Sequence, residues 1–186
     1  MKKPILLAFS AAVLVITPAL AQQPETRLEE LLGRKGQIFT AQYYEVGTLT
    51  QRDGGVRMDV AKINITDLAS GGSTNELGLR IQVKATSRHE DRIGFLDAQE
   101  VTSLASALPG IAAAQQIPRG EEVSREIRFI AGSFTIRVRQ GEPGDPDSFL
   151  IKLGDIASAQ QLFDMKEFPA FREMVNKAVS KIKSLQ

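Results

Sequence analysis

The sequence predicts an α+β protein: antiparallel sheets with helices packed on one face, arranged as two strands-then-helix units. Three observations predict it. Runs of β-branched and aromatic residues alternate with polar ones at a period of two, the mark of half-buried strands. Turn signals rich in Gly, Asp and Pro separate these runs. The pattern of Phe95 to Leu108 is then written again from Leu162 to Val175, each time after a series of strands.

The first 21 residues stand apart from this pattern. Lys2 and Lys3 give a positive start, Ile5 to Ile16 is apolar, and Ala19-Leu20-Ala21 forms an A-x-A cleavage site. That is a secretory signal peptide, too short and wrongly flanked for a membrane span. Cleavage after Ala21 is expected, which gives a periplasmic or secreted chain beginning at Gln22. No cysteine follows the cleavage site, so lipid attachment there is not expected. No later stretch is long and apolar enough for a transmembrane helix.

"ETRLEELLG" reads as a short helix, capped by Thr26, with Glu29 three residues on and Gly33 to close it. Gln37 to Thr50 is a strand, and "QRDGG" from Gln51 to Gly55 is a hairpin turn. Val56 to Ile65 alternates through Val56, Met58 and Val60, then shifts toward Ile63 and Ile65, which predicts a bulge in that strand. Past the polar loop around Gly71-Gly72, Leu77, Leu79, Ile81 and Val83 alternate with Gly78, Arg80, Gln82 and Lys84. "SRHEDR" turns the chain, and "IGF" starts a short fourth strand.

The repeated stretch is a helix start. Asp97 can accept from the backbone three residues on, and Glu100 can reach back to the cap's own N–H. Asp164 and Glu167 repeat that spacing. The first helix is expected over 97–108, because Pro109-Gly110 follows. The second is expected over 168–185; either Asp164 caps it directly, with Pro169 five residues inside and one hydrogen bond lost, or the helix starts at Pro169 and Asp164 caps only a preceding turn. Leu104, Leu108, Phe171, Val175, Val179 and Ile182 form the core faces of the two helices. "EVSREIRFIAG", "SFTIRVRQ" and "SFLIKLGDI" supply strands before the second helix, and "ASAQQLF" reads equally as a fourth strand or a lead-in turn. The mature chain 22–186 is thus expected to be a single domain of two units, about 37–115 and 121–186.

Composition excludes several chemistries. The chain has no cysteine, so it has no disulfide, thiolate metal site or cysteine nucleophile. Loss of Lys2 and Lys3 with the signal moves the formal charge from +1 to −1, so there is no bulk attraction to nucleic acid. No Walker loop, dinucleotide fingerprint or G-x-S-x-G elbow occurs. His89 is the single histidine, and with Glu90 and Asp91 it is the one cluster that invites an acid–base or metal reading. Consecutive residues in extended chain point to alternating sides and converge poorly on one ion, so a solvated turn explains them more simply. Asp145 and Asp147 in "GDPDS" lack the further ligands of an EF-hand loop and read as a turn. No cofactor or metal is expected.

Strand-strand-strand-strand-helix, written twice, resembles the topology of PC4-like and Whirly-like single-stranded-DNA-binding proteins. The lysine-rich signature of the Whirly family does not occur, and "RKGQIF" at Arg34 does not replace it. Separately, "YYEVGTLT" at Tyr43, together with the alanine-style signal, resembles a class of exported bacterial proteins and brings no known activity.

The leading expectation is a non-catalytic exported module that binds a protein or envelope component through sheet faces and edges. One alternative is a single-stranded nucleic-acid binder, which requires a basic sheet face; Arg57, Arg80, Lys84, Arg137 and Arg139 lie at alternating strand positions suited to one. The other is an enzyme using carboxylates alone, with Glu90 and Asp91 as its residues.

Overall fold

The structure is a computed structural model that describes residues 26–51, 54–84, 91–115, 125–141, 146–154 and 159–186. The signal segment, the tip of the first hairpin, His89, Glu90 and Asp145 lie outside these residues. Strands β1 (Gln37–Gln51), β2 (Gly54–Asp67), β3 (Ser73–Lys84) and β4 (Arg92–Asp97) form one antiparallel sheet in that order. β5 (Arg125–Ala131), β6 (Phe134–Gln140), β7 (Ser148–Leu153) and β8 (Gln160–Asp164) form a second. Helix α1 (Arg27–Gly33) precedes the first sheet, α2 (Ala98–Gln115) follows it, and α3 (Phe168–Leu185) follows the second. The strands-then-helix layout therefore occurs twice. No described helix is long and apolar enough to cross a membrane.

One hydrophobic cluster joins the two sheets. Val56, Met58, Val60, Leu79, Ile81 and Leu96 from the first meet Phe134, Ile136, Val138, Phe149 and Phe163 from the second. Leu104 and Leu108 of α2, with Phe171, Val175 and Ile182 of α3, fill the space against them. α3 packs across β1, β2 and β3, so the last helix of the chain covers its first sheet. Phe149 anchors the aromatic part, stacked on Phe163 at 5.1 Å and edge-on to Phe168 at 5.3 Å.

The helix starts form as their residues dictate. Asp97 Oδ1 accepts from Glu100 N and Glu100 Oε2 accepts from Asp97 N, both at 2.8 Å, a reciprocal capping box. Asp164 accepts from Lys166 N at 2.9 Å and caps only a single 3₁₀ turn, Met165–Glu167, ahead of α3. Pro169 then sits in the first turn of α3, where its missing N–H costs nothing.

Two expectations need correction. α2 does not end at Leu108 but continues through Pro109 to Gln115. Ile111 is buried, and Ala112 to Ala114 favour helix strongly, which outweighs the one bond Pro109 removes. The bulge lies in β1, between Glu45 and Gly47, and not in β2. The shifted alternation of β2 has another cause: its inner face is buried at Val56, Met58 and Val60, and its outer face at Ala61, Ile63 and Ile65. α1 covers the second set through Leu28, which approaches Gly78 so closely that a Cβ there would meet it at 2.6 Å. α1 ends at Gly33, as expected, and the first left-handed residue after it is Gly36 (φ 78°).

Candidate functional site: two outer sheet faces

Each sheet has a face turned away from the shared core, and register fixes which side chains share it. On the first sheet, Glu45, Asp59 and Arg80 are directly opposite one another, as are Thr48, Arg57 and Gln82. Tyr43 stands beside this group, with the Arg80 guanidinium 5.2 Å from its ring centroid. Asp59 is 1% exposed. It accepts from Arg57 Nε at 3.0 Å and from Arg80 Nη1 at 3.0 Å. Its hydrogen bond and its charge raise the Arg57 guanidinium above its ordinary pKa, and Glu45 adds a pairing at 3.5 Å. The arginines of this face are thus already neutralised. Phe39 and Tyr43 remain about half exposed beside them.

The second outer face is organised in three cross-strand rows. One holds Glu126, Arg139, Ser148 and Asp164. The next holds Arg128, Arg137, Leu150 and Leu162, and the third Ile130, Thr135, Lys152 and Gln160. Glu126, Arg137, Arg139, Ser148, Leu150 and Leu162 line a shallow depression. Arg128 and Arg137 are directly opposite, a like-charge pairing that costs stability unless another group relieves it. Glu126 bonds Arg128 and lies 3.5 Å from Arg137. Arg139 and Lys152 have no ion-pair partner among the described residues. Asp164, the other acid of the face, is held by Lys166 at 3.2 Å, and the backbone N–H of Lys166 keeps its carboxyl below the ordinary range.

The five basic residues singled out in the sequence do not form one stripe. Arg57, Arg80 and Lys84 belong to the first sheet and Arg137 and Arg139 to the second. Of the His89, Glu90 and Asp91 cluster, only Asp91 is described; it is exposed and accepts from Gln82 Nε2 at 2.8 Å. Asp147 accepts from Gly141 N at 3.1 Å, which makes it a loop staple. Among the described residues, no three His, Asp or Glu side chains are grouped to hold a metal ion.

No protein-family model matches the chain, and no curated protein matches it. Among solved structures, the crystal structure of WHY1 from Arabidopsis thaliana aligns with 76% of this chain and 85% of that one, at 14% identity and a TM-score of 0.38. A likeness that weak does not extend to function.

Sequence reasoning missed Arg128, Ile130, Lys152 and Leu162 as members of a surface. The strand period was present in "REIRFIA" and "SFLIKL". What was absent was the register that sets these residues beside Arg137 and Arg139.

Proposed function

We propose that the protein is an exported, non-catalytic module that binds an anionic partner, a protein or an envelope component, on the outer face of its second sheet. The observation that supports this most is the row geometry of that face. Four cations, Arg128, Arg137, Arg139 and Lys152, stand against Glu126 and Asp164. Two of the four are unpaired among the described residues, and two oppose each other directly. Local rules broken in this way concentrate where a partner supplies the missing compensation. Ile130 and Leu162, 56% and 55% exposed, add apolar contact beside the charges. Rim charges of this kind steer association and weaken with salt.

The test is site-specific photocrosslinking in cells from position Leu162, with exposed Asn176 on α3 as the control position. A discrete adduct is expected from Leu162, absent from Asn176, and abolished by Arg137→Glu with Arg139→Glu. Equal adducts from both positions, or an adduct indifferent to the charge reversal, would remove the second sheet face from the reading.

A second reading, single-stranded nucleic-acid binding, is favoured by Phe39 and Tyr43, exposed on the first sheet with Arg80 stacked on Tyr43. Stacking platforms of that kind work beside unneutralised cations that follow the backbone. Here the exposed aromatics are on one sheet, and the unpaired arginine and lysine of the cross-strand rows are on the other. Anisotropy with a labelled oligothymidine distinguishes the two: salt-sensitive binding lost on Tyr43→Ala supports the second reading, and no binding supports the first.

A further inference from the structure

Of the four edge strands, β1 alone is long and, among the described residues, undefended. Natural sheets protect an edge with charges, proline, shortness or a covering element. β4 is covered: Phe95 N donates to Glu29 Oε1 at 3.1 Å, and Phe95 O accepts from Thr26 Oγ1 at 2.9 Å, so α1 occupies its free side. β5 carries Arg125, Glu126 and Arg128 within seven residues. β8 has five residues and ends at Asp164. β1 has fifteen residues, no proline and one charge, Glu45. Three of the seven large apolar side chains exposed among the described residues are on it: Ile38, Phe39 and Tyr43.

The bulge divides this edge. At Val46 the carbonyl accepts from Lys177 Nζ at 2.9 Å, so α3 guards the edge from the bulge onward; before the bulge α3 meets the strand through a side chain, with Lys181 over the Tyr44 ring at 4.5 Å. The unguarded segment is Gln37 to Glu45. Its middle residue is Ala41.

We propose that a second copy of this chain pairs with this segment, β1 antiparallel to β1, about a two-fold axis at Ala41. The argument is one of register. A two-fold pairing that keeps the outer face continuous must be centred on a residue, because a one-residue slip puts the faces on opposite sides. Centred on Ala41, Phe39 meets the other copy's Tyr43 on the outer face, twice. Ile38 meets Tyr44 on the inner face, and Thr40 meets Gln42. The single charge, Glu45, opposes the uncharged Gln37, and no like charges face each other. Centred one residue earlier, Tyr43 meets Gln37 and Ile38 meets Gln42. Centred one residue later, Phe39 meets Glu45. Only the Ala41 register pairs all three exposed apolar side chains with apolar or aromatic partners. Cross-strand pairs of that type are the stabilising unit of a sheet. The product is one eight-stranded sheet spanning two molecules, with two copies of the second sheet's outer face. This pairing does not rest on the proposed function.

The chain has no cysteine, which supplies the test. Residues opposite each other at such an axis have Cβ atoms about 4.5–5.5 Å apart. Full-length processed protein carrying Ala41→Cys is expected to form a disulfide-linked dimer under mild oxidation. Thr48→Cys, exposed on the same strand beyond the bulge, is expected to stay monomeric. By light scattering, the wild type is expected to have twice the chain mass. Phe39→Lys with Tyr43→Lys is expected to halve that mass with circular dichroism unchanged, since both side chains are half exposed. Three results overturn the proposal: a wild-type monomer at concentrations up to about 1 mM, the weak end of specific affinity; a dimer that survives the double lysine variant; or equal cross-linking from Thr48→Cys. A monomer that still crosslinks its partner from Leu162 separates this failure from failure of the functional reading.

Discussion

Asp59 shows how far a single side chain can depart from its sequence pattern. It occupies a polar position in an alternating strand, where period-two alternation alone would turn it toward water. In the structure it is enclosed by Arg57 and Arg80, which come from its own and a neighbouring strand. A cover made of long side chains across a register cannot be read from one strand. Asp59→Ala is expected to cost about 1–3 kcal/mol in urea unfolding, since it leaves two guanidiniums without their acceptor while both still reach water. Glu100 gives a second residue-scale prediction. Burial raises its carboxyl above the ordinary range, outweighing the Asp97 N–H that lowers it. The folded state therefore holds that proton more tightly than the unfolded chain. The stability this lends is fully present below the ordinary carboxylate range and is lost as pH rises through the folded value. Glu100→Gln retains an acceptor for Asp97 N and lacks this term. Its melting temperature relative to wild type should increase between about pH 3 and pH 7. A difference that stays flat, or decreases, would show that burial does not govern this carboxyl.

At the level of elements, the repeated stretch resolves into two unequal starts on equivalent packing. Asp97 and Glu100 close a full capping box, whereas Asp164 caps a 3₁₀ turn. Asp97→Ala should cost about 0.5–2 kcal/mol, and Asp164→Ala less. Leu104 and Phe171 are fully buried, so each truncation to Ala should cost about 2–5 kcal/mol. Urea midpoints of the four variants check the order; an unchanged midpoint for Leu104→Ala or Phe171→Ala would take that helix face out of the core. The caps, the strand positions and the second helix were legible because each rests on residues within one turn or one period. The overrun of α2 past Pro109 was not legible, because it depends on Ile111 finding the core. Nor was the double burial of β2, because α1 reaches it through tertiary contact alone.

For the whole molecule, the sequence showed the two-unit α+β plan but not the division of charge and aromatic surface between the two sheets. Alternation shows which residues of a strand share a face, not which strands share a sheet. Export remains a sequence-based proposal, and intact mass of the protein recovered outside the cytoplasm should correspond to a chain starting at Gln22; a chain retaining Met1 in the cytosol would refute it. The packing of α3 across β1, β2 and β3 has a consequence in time. The sheet synthesised first is covered by the helix synthesised last. α2 reaches that sheet at β3 and β4, but over β1 and β2 the apolar inner face gains its helix only after nearly the whole chain is available, so the fold depends on contacts distant in sequence, which slow its formation. A chain that cannot complete itself early stays extensible until its final turns have arrived, a property suited to the proposed export.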